Sequence, residues 1–599
     1  MTSFFDDPRM LAPPRAVRES LPDGSAVLRS PEPLGAYARC IGEWVERWAR
    51  ETPETLALAE RDASGDWRRL SWGEVRAQIG AIAQGLLDMK LPAGQPVVIL
   101  SDNAVDHALL ALAAMHIGRQ PCAVSSAYSR AATDYTKLAS ILRALRPALV
   151  YAADAAVYGP AIAACGVEAP VVYSRGAASV PGAIDFARLA GTAEGPQVMQ
   201  AFEAIEPDDH AKYLLTSGST GTPKVVINTH RMLCANQQMI GQVWRFLDRE
   251  KPVLVDWLPW SHTFGGNHNF NLVLRNGGTL YIDEGRPVPG LIDKTVRNLR
   301  DAQPTMHFNV PHGLAMLTTI LEADDELARI VMKRMRLVFY AGAALPQAIW
   351  ERMQNVTTRA RGDLLWLTTS WGATETSPAV TSAHWKLDRA GCLGLPLPGI
   401  DLKLVPNGAK LELRVRGVSV FPGYRDAPEL TAKAFDEDGY YCIGDAGRWI
   451  DEAAPEKGVA FDGRVAEDFK LTTGTWVSVG TLRVNLVSAL GAIAQDAVIT
   501  GHDGDEVGAL VFLTPAAQAL PRAEVVATVR AAMQRMRAAG AGSSSYPTRV
   551  LLLTEPPSVD AGEITDKGYV NQRAVLTRRA QEVAVLHGDA ANERVVRID

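Results

Sequence analysis

Short apolar, β-branched runs punctuate the chain at Pro96–Leu100 (PVVIL), Ala148–Tyr151 (ALVY), Val253–Trp257 (VLVDW) and Leu337–Tyr340 (LVFY), with longer alanine-rich stretches between them. Runs of four or five apolar residues suit strands covered on both faces, and the longer stretches suit the helices that cover them. The pattern therefore predicts an α/β layered fold. The most apolar stretch of the N-terminal third, Ala108–Gly118, is bracketed by His107 and Arg119. It falls well short of the ~20 residues that cross a bilayer and predicts a buried helix. The small-residue segments Ser174–Ala183 and Ala538–Pro547 read as loops, and no solenoid or propeller repeat is visible.

At 599 residues, with 47% hydrophobic and 21% charged, the chain can bury a large core and is expected to form more than one domain. Its 61 basic and 67 acidic side chains leave a formal charge of -6, with no long basic run. Nucleic acid is thereby disfavoured as the main partner. Cys40, Cys122, Cys165, Cys234, Cys392 and Cys442 are scattered without CxxC or metal-ligand spacing. Reduced thiols in a cytoplasmic protein fit best. The acidic start MTSFFDDPRM, broken by Pro8, lacks the basic-then-apolar profile of a secretory signal, so neither export nor a membrane is expected.

The string with the most chemistry is YLLTSGSTGTPKVV, Tyr213–Val226. Gly218 and Gly221 let backbone amides approach an anion. Thr216, Ser217, Ser219, Thr220 and Thr222 supply hydroxyls, and Lys224 a mobile positive charge. A Walker loop needs Gly-Lys followed by Ser or Thr at a helix start. Here Pro223 precedes Lys224 and Val225 follows it, which disfavours a P-loop NTPase. Taken alone, the string also fits a Ser/Gly surface turn.

This string resembles the signature of the adenylate-forming superfamily, which includes acyl-CoA synthetases, nonribosomal adenylation domains and luciferases, and the companion motifs follow in order. PWSHTFGGNHNFN from Pro259 resembles the aromatic and histidine motif beside the acyl pocket, with His262 ahead of Gly265 and Gly266. YAGAALP from Tyr340 resembles the small-residue turn on which adenine stacks, here Gly342, Ala343 and Ala344. TTSWGATETS, Thr368–Ser377, matches the aromatic-Gly-x-Thr-Glu motif with Trp371, Gly372, Thr374 and Glu375. The resemblance implies that Glu375 ligates Mg²⁺, a metal that takes hard oxygen ligands, and that Asp445 and Arg464 hold the ribose.

Over nearly the whole chain, the resemblance implies a large N-terminal AMP- and acyl-binding domain, residues 1–465, and a smaller mobile α+β domain, residues 466–599. The implied hinge position carries Ala466 instead of the usual Asp or Lys, so polar contacts there do not carry over. In DAGEITDKGYVNQ, Glu563 falls where the catalytic lysine of a Gly-Lys-Ile string is expected, and Lys567, four residues on, is the candidate replacement.

VINTHRMLCANQQM, FKLTTGTWVSVG and GEITDKGYVNQRA look like the feruloyl-CoA synthetase branch. That implies a ligase converting a hydroxycinnamate, with ATP, Mg²⁺ and coenzyme A, to its CoA thioester through an acyl-adenylate. His262, Phe264, Gly265, Asn267, Asn269, His312 and Trp371 are candidate pocket lining, and Gly474, Thr475 and Trp476 the candidate CoA-side loop. Two other readings stay open: an adenylating enzyme with another acid or a non-CoA acceptor, and a silent nucleotide-binding regulator suggested by Glu563. Monomer and homodimer are both compatible with the sequence.

Overall fold

The structure, a computed structural model, describes residues 4–130, 134–216, 223–408, 410–502, 504–539, 542–558, 561–564, 570–588 and 592–598. The apolar runs become inner strands of two seven-stranded sheets. In the first, Val97–Leu100 lies parallel between Pro121–Val124 and Leu149–Asp154. His210–Thr216 extends this sheet to the antiparallel edge strand Lys224–Thr229. In the second, Val253–Asp256, Met306–Asn309, Leu337–Tyr340 and Trp366–Thr369 run parallel. Every residue of the last three strands is buried, as a sheet covered on both faces requires.

The apolar stretch near residue 110 forms the buried helix Val105–His116. It packs against Trp72–Asp88, a helix opened by a reciprocal cap: Glu74 N–H donates to Ser71 Oγ at 3.3 Å, and Ser71 N–H to Glu74 Oε2 at 2.7 Å. Beneath the second sheet, the Trp244 ring meets Trp366 at 5.5 Å and Phe339 at 5.8 Å, while its Nε1 donates to Ser382 Oγ at 3.0 Å. Each such ring pair contributes about 0.5–1.5 kcal/mol beyond area burial. The one polar atom of the Trp244 indole is thus satisfied.

A third sheet, eight-stranded, contains the antiparallel neighbours Tyr441–Trp449 and Val459–Arg464. After a turn at 465–467 the chain forms the hairpin Phe469–Lys470 with Trp476–Val477, then a four-stranded sheet of Ala494–Thr500, Gly508–Leu513, Arg549–Leu553 and Val595–Arg597. Strand alternation sends Ala497, Ile499, Val511 and Leu552 to one core, with helices Val479–Leu490 and Arg522–Ala539. Val498, Leu510, Phe512 and Leu551 face a second core, with helices Gln572–Arg578 and Ala580–His587. The fold is thus α/β, a large N-terminal domain followed by a smaller α+β one. Among the described residues no helix is long and apolar enough to cross a membrane.

Candidate active site

The carboxyl ends of those four strands of the second sheet feed the segments that hold Trp257–Asn269, Val310–Gly313, Ala341–Leu345 and Ser370–Ser377. Asn309, Tyr340 and Thr369 stand in register at that edge. Ligands of open parallel sheets gather at such edges, and three of the sequence motifs meet at this one.

Thr216 and Lys224 are cross-strand partners at the end of the edge hairpin of the first sheet. Ser217, Gly218, Ser219, Thr220, Gly221 and Thr222 lie outside the described residues. The segment joins two antiparallel strands, whereas a P-loop joins a strand to a helix. Thr216 Oγ1 is buried and takes no hydrogen bond among the described residues. Lys224 Nζ lies 4.9 Å over the ring of Tyr424, whose hydroxyl donates to Glu375 Oε1 at 3.0 Å. Burial raises the pKa of Glu375, and the Tyr424 hydrogen bond with the charges of Lys224 and Arg464 pulls it back. Thr374 opens the short turn Thr374–Thr376 that presents Glu375. A Cβ at Gly372 would lie 1.8 Å from the Pro378 carbonyl oxygen, so this motif position admits only glycine without a backbone shift.

Trp371 Nε1 donates to Asp445 Oδ2 at 2.8 Å, and Arg464 Nε lies 3.2 Å from Asp445 Oδ1 across the paired strands. Asp445 is buried and Arg464 exposed, so the pair presents a fixed carboxylate with a mobile cation beside it. Asp445 Oδ1 accepts no hydrogen bond among the described residues, which leaves it open to a hydroxyl donor. Gly342 (φ +88°) and Ala343 are exposed at the end of their strand and Ala344 is half-buried. This is an open, small-sided turn of the kind a flat base can cover.

His262 is half-buried and opens a π-helical turn, Phe264–Asn269. The glycines make it possible: a Cβ on Gly265 would meet the Leu258 carbonyl oxygen at 2.2 Å, and one on Gly266 that of Trp260 at 2.5 Å. Lys212, which sequence reasoning passed over, points its Nζ at the Gly266 carbonyl oxygen (3.4 Å), and burial lowers its pKa to about 8. Phe264, Asn267 and Asn269 are buried, and Asn267 Nδ2 donates to Asn228 Oδ1 at 2.7 Å. His312 is exposed on the first turn of helix Pro311–Ala323, within electrostatic reach of Asp496 in the smaller domain.

In the smaller domain, Glu563 is fully buried and bound by Arg578 and Arg579. Ile564 and Val570 form a bridge, and Lys567, between them in sequence, lies outside the described residues. Gly474 and Thr475 belong to a tight turn in which Leu471 N–H donates to the Thr475 carbonyl oxygen at 2.9 Å. Trp476 is 44% exposed and lies near Gly408, with Lys470 Nζ 4.9 Å above its ring.

Among the described residues no cluster of three or more His, Cys, Asp or Glu side chains could hold a metal. Mg²⁺ with phosphate and water ligands needs few protein oxygens. The Glu375 carboxylate, in the field of Lys224, and the Thr216 hydroxyl across the strand pair from Lys224, without a hydrogen bond among the described residues, fit that demand. Tyr424 is, with Lys212, a site residue that sequence reasoning missed. Its FPGY string carries turn signals, but nothing in it names a carboxylate 49 positions away.

A family model for AMP-binding enzymes matches residues 45–425, and one for the AMP-binding enzyme C-terminal domain matches residues 480–590. A CoA ligase of Rhodococcus jostii (strain RHA1), named for a methyl-dioxo-octahydro-indenyl propanoyl group, is 26% identical over 81% of this chain and 90% of its own. The 3-hydroxybenzoate–CoA ligase of Aromatoleum sp. (strain CIB) is 26% identical over 86% and 93%. In fold, the anthranilate CoA ligase AuaEII in complex with anthranoyl-AMP superimposes with a TM-score of 0.73 at 19% identity, covering 93% of this chain and 99% of its own. ATP-bound MatB of Rhodopseudomonas palustris superimposes at 0.68 and 24% identity, covering 90% and 99%. With the motifs gathered at one edge and both family models matched in order, the chain belongs to the AMP-binding enzyme family, as an ATP-dependent acyl-CoA ligase.

Proposed function

We propose that this ligase converts a hydroxycinnamate, such as ferulate, p-coumarate or caffeate, to its CoA thioester. The observation that carries the reading is the ring cluster built on the π-helical turn that follows His262. Phe264 and His268, one turn apart, meet Phe308 and Phe339 with centroids between 5.0 and 6.4 Å. Planar acyl groups pack well against such rings. His268 Nε2, buried among them, takes no hydrogen bond among the described residues, and a phenolic hydroxyl is a donor that would suit it. The resemblance to the feruloyl-CoA synthetase branch and two relatives named for aromatic acids support the same choice.

Mg²⁺ held by Glu375 would supply a counter-charge for the triphosphate. Thr216, Ser217, Gly218, Ser219, Thr220, Gly221, Thr222 and Lys224 hold the phosphates, Gly342–Ala344 the adenine, and Asp445 with Arg464 the ribose. Lys567 steers a carboxylate oxygen of the acid onto the α-phosphorus. That O–P bond forms, the α–β bridging bond breaks, and pyrophosphate leaves. The smaller domain, residues 466–599, then turns about Ala466 and brings Gly474, Thr475 and Trp476 to the site. The CoA thiol gives its proton to solvent, its sulfur bonds to the acyl carbon, the bond from that carbon to the phosphate oxygen breaks, and AMP leaves. Both steps rest on positioning and charge stabilisation.

Glu563 is occupied in a buried ion pair, so its presence in place of a lysine does not speak for a silent regulator. The test is to replace Lys567 with Ala and follow the half-reactions separately. Pyrophosphate exchange collapses while thioester formation from supplied feruloyl-adenylate persists; equal loss of both refutes the role of Lys567.

A further inference from the structure

Lys410 begins the strand Lys410–Gly417, and its ammonium spans the junction between the two domains. It donates to the Asp462 carbonyl oxygen, on the strand that precedes the turn at 465–467. Beyond the turn it donates to Ser478 Oγ at 3.1 Å and pairs with the Asp468 carboxylate. The Asp468 side chain is 4% exposed, and its Oδ1 accepts from the Val479 N–H at 3.0 Å, at the start of helix Val479–Leu490. One cation thus ties both sides of the turn together. Ala466 brings no polar side chain to the hinge, and the polar contact is made two residues later by Asp468.

Two apolar contacts reinforce the junction. A Cβ on Gly480 would lie 2.9 Å from Gly463 Cα, so the helix start sits flush on the strand before the turn, and Trp476 lies near Gly408, two residues from Lys410. One turn further along the same helix, Arg483 Nε donates to Asp496 Oδ1 at 2.8 Å and Nη1 to the Val570 carbonyl oxygen at 3.3 Å. Glu467 lies in the field of both Arg464 and Arg483, and within reach of Asp445. The end of the smaller domain marked by the Ile564–Val570 bridge is therefore turned toward Asp445 and Arg464. The Gly474–Trp476 turn is instead held at the Gly408 hairpin.

We propose that Lys410 is a positioning residue that clamps the smaller domain in the adenylate-forming orientation through Asp468 and Ser478. Rotation about Ala466 moves Asp468 and Ser478 away from Lys410, because they lie beyond the pivot and Lys410 before it. Release of this buried ion pair is then part of the barrier to the thioester-forming step, since a carboxylate left without its cation carries an uncompensated charge. The proposal rests on the roles given above to Lys567 and Ala466.

The experiment compares ATP–pyrophosphate exchange with thioester formation from supplied feruloyl-adenylate and CoA, in Lys410→Ala, Lys410→Arg, Asp468→Asn and the exchanged pair K410D/D468K. Lys410→Ala lowers exchange about thirtyfold or more, as expected when a buried charge pair loses one partner, and leaves thioester formation unchanged or faster. Lys410→Arg keeps most of the exchange rate, and the exchanged pair recovers part of what either single reversal loses. Melting curves confirm that each variant is folded at the assay temperature, and Asp468→Asn, close in volume, provides the comparison if Lys410→Ala is not. Half-reactions that fall by one common factor, or a ratio that stays at the wild-type value, overturn the clamp. Lys567→Ala run alongside separates the two claims: selective loss of exchange there with an unchanged ratio in Lys410→Ala sinks the clamp alone.

Discussion

Glu563 Oε1 lies 2.7 Å from Arg579 Nε and Oε2 lies 3.0 Å from its Nη2, a two-point pair in which the side chains are 0% and 4% exposed. Arg578 Nη1 at 2.6 Å and the Ser558 N–H at 2.8 Å complete the shell. The residue that stands where a catalytic lysine was expected is thus a structural anchor, and it fixes the base of the segment that contains Lys567. Glu563→Gln leaves two guanidinium groups short of charge and destabilises the smaller domain by about 3–5 kcal/mol, read by denaturant unfolding. Burial alone would raise the Glu563 pKa, but hydrogen bonds from Arg579 and Ser558 and the charges of both arginines outweigh it and hold it below 4.5. The stabilisation is therefore complete above about pH 4.5 and is lost as pH falls through the folded value. Glu563→Gln loses that acid-side dependence.

Trp371, just beyond a strand of the second sheet, and Asp445, on a strand of the third, are joined by one hydrogen bond, which fixes the carboxylate proposed to hold the ribose. Trp371→Phe keeps the ring and removes the donor, and raises the KM for ATP about fivefold with the KM for the acid unchanged. Asp445→Ala raises it about tenfold or more, since the charged acceptor itself is lost. Steady-state kinetics at varied ATP check both. Equal effects on ATP and acid would contradict the ribose assignment.

Tyr424 serves two partners, its hydroxyl Glu375 and its ring Lys224. Tyr424→Phe keeps the ring under Lys224 and removes the donor, so pyrophosphate exchange falls about fivefold. Tyr424→Ala loses both contacts and falls further. If the two variants behave alike, the hydroxyl has no separate part.

The strands and layers of the fold were legible because their apolar runs are short, fully buried and separated by helices, a pattern few other architectures produce. The motif residues were legible for a different reason: Gly372, Gly265 and Gly266 stand where a side chain would strike backbone, so their spacing records geometry. Contacts that depend on chain crossings were not legible. Nothing near Tyr424 points to Glu375, nothing near Lys410 points to Asp468, and Glu563 read as a defect until Arg578 and Arg579 were seen around it. Asn267 carries motif spacing, yet its side chain is spent on Asn228 in the interior, and Phe264 is buried within the ring cluster it forms with His268, Phe308 and Phe339.

Asp256, at the end of a central strand, offers a separate test of the core. Burial raises its pKa to about 7, a hydrogen bond from Asn269 and the Leu258 N–H offset part of that, and the nearby Asp283 adds to it. Because the folded value exceeds the unfolded one, stability is highest below the unfolded value near 3.8 and declines as pH rises toward 7. Asp256→Asn removes the titration, so melting temperature measured from pH 5 to 8 falls less steeply in the variant than in the wild type. Parallel slopes would contradict the assignment.

The central claim is tested most directly by kcat/KM for CoA-dependent AMP formation with ferulate, p-coumarate, benzoate, malonate and a long-chain fatty acid, the thioesters identified by mass. Feruloyl-CoA and p-coumaroyl-CoA are the expected products, formed with kcat/KM values at least about tenfold above those of the other acids, which corresponds to about 1.4 kcal/mol of differential transition-state binding. A preference for malonate or the fatty acid would leave the ligase chemistry in place and contradict the hydroxycinnamate assignment.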